Sequence, residues 1–207
     1  MRPRASRTVE NAIRRFGFVH IAGVDEVGRG CLAGPVMAAA VVLDPARPIP
    51  GVADSKVLTA ADRERLYERI IGRAVAWRVT AIEPDEIDRL NIHRASLLAM
   101  YQAVMALVPL PGFVIVDGFR IPELPIAQRR IPGGDRRCAA IAAASILAKV
   151  TRDRAMLVLD ASDPRYGFAH HKGYATREHL DAVGRFGYSP VHRRTFRPPS
   201  LFDTISD

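Results

Sequence analysis

Four acidic residues stand where hydrophobic runs of the sequence break off. Asp25 and Glu26 follow the run from Phe18 to Val24, Asp117 follows Phe113 to Val116, and Asp135 follows Gly133-Gly134 after a further short stretch ending on Ile131. Carboxylates brought together repel one another, and the usual relief is a hard divalent cation held through oxygen ligands. Four such groups balance two divalent ions in charge, and a pair of ions can activate a water and stabilise the leaving oxygen of a phosphodiester. These residue types therefore admit metal-assisted hydrolysis of a nucleic-acid backbone. Each acid also has a plainer reading: Asp25, Glu26 and Asp135 suit turns, and Asp117 suits a cap or turn before Gly118.

Such acids act together only if a scaffold brings them to one place. Phe18 to Val24 and Pro35 to Leu43 read as strands joined by a turn from Gly28 to Gly34, and Ala74 to Ile82 as a third, which predicts an antiparallel meander. Thr59 to Ile71 carries Leu66, Tyr67, Ile70 and Ile71 at helical spacing with Thr59 as its cap. Pro84 opens a helical region that Ile92 to Val108 continues until Pro109, Pro111 and Gly112 stop it. Phe113 to Val116 reads as a short strand buried on both faces, and Gln128 to Ile131 as a further short strand. Gly133-Gly134 makes a turn before Ala139 to Leu159, an alanine-rich helix able to lie close on a sheet. Thr176 to Gly184 is a final amphipathic helix. A meander followed by alternating strands and helices predicts a layered α/β or α+β domain with a mixed sheet.

The 207 residues suit one sizeable domain, and 48% hydrophobic with 25% charged residues is a globular composition. The +8 net charge and pI of 10.2 point to a polyanionic partner, either nucleic acid or an anionic membrane surface. Only three of the thirty basic residues are lysines. Arginine suits phosphate, yet a GC-rich coding sequence would produce the same bias. Cys31 and Cys138 lack the spacing of a zinc site or disulfide framework, so a reducing cytoplasm is the expected setting. The longest apolar stretches fall short of the ~18 residues of a bilayer span. Met1 to Thr8, with Arg2, Arg4 and Arg7, reads as a short tail rather than a transit peptide.

Several segments, taken in order, resemble one family. They are Gly23-Val24-Asp25-Glu26-Val27-Gly28-Arg29-Gly30 with Ala33-Gly34-Pro35-Val36, Asp54-Ser55-Lys56, Val116-Asp117-Gly118, the run from Ala142 to Asp153, His171-Lys172-Gly173-Tyr174-Ala175-Thr176 and His192-Arg193-Arg194-Thr195-Phe196. Together they look like bacterial ribonuclease HII. The resemblance implies an α/β ribonuclease H-like fold with a central mixed five-stranded sheet flanked by helices and a small C-terminal helical region. It implies one catalytic domain over residues 1–207, with 1–17 as an N-terminal tail and about 160–207 as a helical substrate-binding extension. About seventeen residues before the first strand leave no room for the extra N-terminal domain of ribonuclease HIII.

The same resemblance assigns roles residue by residue. Asp25, Glu26, Asp117 and Asp135 would be the catalytic acids, holding Mn²⁺ or Mg²⁺. The family usually places a lysine two residues before the fourth acid, where this chain has Gly133. Gly28, Arg29 and Gly30 would form the turn whose backbone meets the ribose 2′-hydroxyl, the group that marks RNA, and Tyr174 would pack on the neighbouring sugar. Lys56, Lys172, Arg193 and Arg194 are expected phosphate contacts. Ser145, Lys149 and Asp153 are expected to support the acids, Asp153 through an ion pair with Lys149 one helical turn away; Lys149 suits a phosphate contact or a helix tether equally. The implied activity is an endonuclease acting on the RNA strand of RNA–DNA hybrids and on the 5′ side of single ribonucleotides in duplex DNA, leaving 3′-hydroxyl and 5′-phosphate ends. The implied partners are those nucleic acids, with no membrane and a monomeric protein. A resolvase- or transposase-like nuclease and a catalytically silent hybrid-binding protein are the competing readings.

Overall fold

A computed structural model describes residues 5–196. β1 (Ile21–Val27), β2 (Val36–Leu43) and β3 (Ala74–Ile82) form the expected antiparallel meander, and β4 (Phe113–Asp117) and β5 (Ala127–Ile131) extend it on the β1 side. The strand order is β3-β2-β1-β4-β5, with β4 parallel to both β1 and β5. The helices are α1 (Thr8–Arg14), α2 (Ala60–Arg73), α3 (Pro84–Leu90), α4 (Ile92–Met105), α5 (Ala139–Ser162), α6 (Phe168–His171) and α7 (Arg177–Phe186). The mixed five-stranded sheet flanked by helices is the ribonuclease H-like architecture expected. Among the described residues, no helix is long and apolar enough to cross a membrane.

Period-two alternation sorts the strands between two cores. Ile21, Ala39, Val41, Leu43 and Ile115 face α5 and α2. Ala22, Val24, Ala38, Ala40, Val42, Val114 and Val116 face Ala95, Ala99, Met100, Ala103 and Val104 of α4. The alanines of α5 let its backbone lie close on β1. Thr59 caps α2 by accepting the Asp62 N–H.

Three sequence expectations are corrected. β1 begins later than Phe18 and continues through Asp25 and Glu26, because the ladder to β2 extends to Asp25↔Ala39, Glu26↔Ala38 and Val27↔Met37. The helical region from Pro84 is two helices, because Asn91 adopts φ 69° and turns its side chain into the cap of α4, accepting the His93 and Arg94 N–H groups. The N-terminal tail is in part a helix, α1, strapped to the domain by backbone hydrogen bonds from Ala5 to Val52 and between Ser6 and both Arg137 and Ala139. The expectation for residues 1–4 and 197–207 lies outside the described residues.

Burial of Glu10 explains the strap. Its carboxylate, 2% exposed, accepts the Ala140 N–H at 2.8 Å, in the first turn of α5. An unpaired helix-start donor is thereby satisfied from a remote segment. Glu10→Ala should lower stability by about 1–2 kcal/mol, seen as a lower urea midpoint with unchanged slope; an unmoved midpoint would remove the capping role.

Candidate active site

Strand register decides which acids meet. In the parallel pairing Val24 stands opposite Val116, so the next step sets Asp25 beside Asp117. Gly23 lies against α5 while Val24 and Val116 face α4, so alternation turns both Asp25 and Asp117 toward α5. Glu26 takes the other face, beside Arg29 at 3.8 Å. Asp135 arrives from a 3-10 turn, Gly134–Arg136, just before α5. The turn is tied back to the sheet because Asp117 Oδ1 accepts the Gly134 N–H at 2.9 Å.

Each acid has named neighbours. Asp25 Oδ1 accepts the Glu26 N–H at 2.8 Å, and Asp25 lies near Ser145, which lowers its pKa against burial and whose Oγ lies 2.9 Å from that of Ser55. Asp135 Oδ2 is 4.0 Å from Lys56 Nζ. Asp54 accepts the Lys56 N–H at 2.9 Å and receives Arg136 Nε at 3.2 Å. Burial, and then the charges of Glu26 and Asp117, push Asp25 well above the ordinary carboxylate range. Glu26 is raised by burial first, with Arg29 opposing and Asp117 adding. Asp135 is raised by burial, then by Asp54 and Asp117, against Lys56 and Arg136.

A set of hard oxygen donors whose charges penalise one another is chemically matched to Mg²⁺ or Mn²⁺, which would remove that penalty. Among the described residues, no group of three or more His, Cys, Asp or Glu side chains is already arranged to hold a metal ion. Hydrogen bonds to Glu26 and Gly134 instead engage one oxygen each of Asp25 and Asp117.

The turn after β1 is held from beneath by two buried arginines. Arg193 donates to the Arg29 carbonyl at 3.1 Å and to the Gly34 carbonyl at 3.0 and 2.9 Å. Arg152 donates to the carbonyls of Pro35, Ala33 and Lys172 at 2.9, 3.1 and 2.9 Å. Gly28 adopts φ +90°, and a Cβ there would lie 2.3 Å from Arg152 Nε. Arg29 reaches Ser96 Oγ at 2.8 Å and lies 5.3 Å from the Phe119 ring centre. Tyr174 bridges to Cys31, with the Leu32 N–H donating to the Gly173 carbonyl at 2.8 Å, so its half-exposed ring borders the same turn. Burial raises the Tyr174 hydroxyl above its ordinary range, with Cys31 adding.

Of the expected phosphate contacts, Arg193 is corrected: it is fully buried and its donors are spent on backbone carbonyls. Lys56 and Arg194 are exposed, Lys56 near Asp135. Lys172 donates to the Ala169 carbonyl and lies partly buried. Lys149 and Asp153 pair at 2.7 Å along α5. Asp54 and Arg152 have no separate role legible in the sequence; the Asp-x-Lys spacing, in which Asp54 caps its own turn, is the one local signal for Asp54.

The family model described as ribonuclease HII matches residues 22–198. The ribonuclease HII of Coxiella burnetii (strain Dugway 5J108-111) is 56% identical over 178 residues, covering 86% of this chain and 88% of that protein. The ribonuclease H2 of Pyrococcus horikoshii OT3 superposes with a TM-score of 0.73 at 26% identity, covering 86% of this chain and 94% of that one. The ribonuclease HII of Archaeoglobus fulgidus, solved in a complex with PCNA, gives a TM-score of 0.74 at 25% identity, with 87% and 96% covered.

Proposed function

The chain belongs to the ribonuclease HII family and is a ribonuclease H, and we propose that it hydrolyses the RNA strand of RNA–DNA hybrids and incises duplex DNA on the 5′ side of a single embedded ribonucleotide. The observation that carries this reading is the side-by-side setting of Asp25 and Asp117 on parallel strands, next to Glu26 and one turn ahead of Gly28-Arg29-Gly30. Sugar recognition and backbone hydrolysis would then share the ends of two neighbouring interior strands.

Asp25, Glu26, Asp117 and Asp135 would hold Mg²⁺ or Mn²⁺, which when bound supplies two-metal activation of water and neutralisation of charge at the scissile phosphate. Ser145 orients Asp25, and Gly134 orients Asp117. The exposed Gly30, where a Cβ would meet nothing within 4 Å, leaves room for a sugar to approach the backbone. Arg29, partly exposed, stands between Glu26 and Ser96 at the same turn. Tyr174 would pack on the adjoining sugar. Lys56, Lys172 and Arg194 would meet phosphates, which positions a duplex without reading its sequence. The protein would act as a monomer on one duplex, with the segment from about residue 160 contributing to substrate binding.

The deciding experiment incubates the purified protein with a DNA duplex carrying one ribonucleotide, in Mg²⁺ and separately in Mn²⁺, and maps the ends. A single cut 5′ to the ribonucleotide with 3′-hydroxyl and 5′-phosphate ends is expected. Cleavage of a four-way junction with indifference to the ribonucleotide would instead favour a resolvase, and binding without cleavage a silent hybrid-binding protein.

A further inference from the structure

Behind Tyr174 lies a buried group of three histidines. His179 Nδ1 is 2.9 Å from the Tyr174 carbonyl, His179 Nε2 is 3.0 Å from His192 Nε2, and the Ser189 N–H donates to His192 Nδ1 at 3.0 Å. His171 stacks on His179 with ring centres 4.4 Å apart. The rings of His179 and His192 are 0% and 2% exposed.

Donor and acceptor counting fixes every proton. Ser189 N–H can only donate, so His192 Nδ1 accepts and its proton sits on Nε2. That Nε2–H donates to His179 Nε2, which leaves the His179 proton on Nδ1, aimed at the Tyr174 carbonyl. His171 closes the same way: the Gly173 N–H donates to its Nδ1 at 3.2 Å, so its Nε2–H donates to the Tyr166 carbonyl at 2.8 Å. One direction of hydrogen bonding satisfies all three rings in their neutral form. A proton added to His179 would go on Nε2, against the His192 Nε2–H at 3.0 Å, and one added to His192 would go on Nδ1, against the Ser189 N–H at 3.0 Å.

We propose that His179 and His192 are positioning residues for substrate recognition, a one-way relay from Ser189 that fixes the backbone of Tyr174 and so sets its ring beside the Cys31 end of the sugar-binding turn. This rests on the reading of Tyr174 as a sugar contact. The relay ends on the carbonyl of the residue that bridges to Cys31, and His192 itself bridges to Ala33 two residues on, so both ends of the relay grip the segment that follows the turn. The titratable groups facing the pair are His171, Tyr166 at 4.8 Å and Tyr188 at 5.5 Å between ring centres, with Glu178 and Asp163 acting at longer range. Burial pushes both His179 and His192 down to about 4, which keeps them neutral at physiological pH.

Two measurements test this. Nitrogen-15 NMR of histidine-labelled protein is expected to show His179 protonated on Nδ1 and His192 on Nε2; protonation of His179 on Nε2 overturns the relay. On the single-ribonucleotide duplex, His179→Ala should raise KM about tenfold with kcat changed less than about threefold. His179→Asn, whose amide nitrogen sits where Nδ1 does, should recover most of that loss. A folded His179→Ala with unchanged KM, alongside a Tyr174→Ala that does raise it, overturns the relay. A Tyr174→Ala with unchanged KM overturns instead the reading of Tyr174. Should His179→Ala fail to fold, the tautomer measurement on the unaltered protein still decides.

Discussion

Asp117→Asn is expected to lower kcat/KM on the single-ribonucleotide duplex by on the order of 10³-fold or more while leaving the thermal midpoint equal to the parent's or a few degrees higher. The two halves have one cause. Asparagine keeps an oxygen able to accept the Gly134 N–H that Asp117 Oδ1 accepts at 2.9 Å, so the turn carrying Asp135 stays tied to β4. The charge is lost, however, and it raises Asp25, Glu26 and Asp135 alike. Removing it relieves three unfavourable neighbours and, on the proposed metal site, would at the same time take a ligand from the cation. Calorimetry beside a cleavage assay in Mg²⁺ and in Mn²⁺ checks both. Turnover within tenfold of the parent would remove Asp117 from the catalytic set, and a midpoint several degrees lower would show that the charge is structural.

How far the sequence reveals this site depends on the range of each interaction. The four acids stand out in the sequence because each follows a hydrophobic run, and strand register sets Asp25 beside Asp117, while Asp135 comes from the turn before α5. The two-sided burial of β4 was legible in the short apolar run from Phe113 to Val116. Arg193 was misread because nothing local distinguishes an arginine on the surface from one beneath a turn; its acceptors, Arg29 and Gly34, lie more than 150 residues earlier. Asp54 and Arg152 join segments as remote as Arg136 and Lys172. The N-terminal segment read as a short tail, whereas Glu10, the residue that anchors it, finds its partner 130 residues away. Local propensity locates strands and caps, but it carries no record of which distant carbonyl a buried side chain will reach.

The close approach of α5 to β1 makes the second large prediction. A Cβ on Gly23 would stand 2.1 Å from the Ala140 carbonyl carbon, 2.3 Å from Ile141 N and 2.5 Å from Ala140 O. All three are backbone atoms in the first turn of a helix, so no rotamer change relieves the overlap and the helix itself must withdraw. That start is pinned by Glu10 to Ala140 and by the Cys138 N–H to the Gly134 carbonyl at 2.7 Å, beside Asp135. Gly23→Ala should therefore cost about 3 kcal/mol, lowering the thermal midpoint by roughly 10 °C, and should weaken catalysis by moving Ser145 away from Asp25. Gly30→Ala is the informative contrast, since its Cβ meets nothing within 4 Å and φ there is not positive. It should leave the midpoint within about 1 °C while raising KM, because the added methyl occupies the space left for the sugar. A Gly23→Ala protein as stable as its parent would mean that α5 can slide on the sheet. A Gly30→Ala protein with unchanged KM would place sugar recognition elsewhere than this turn.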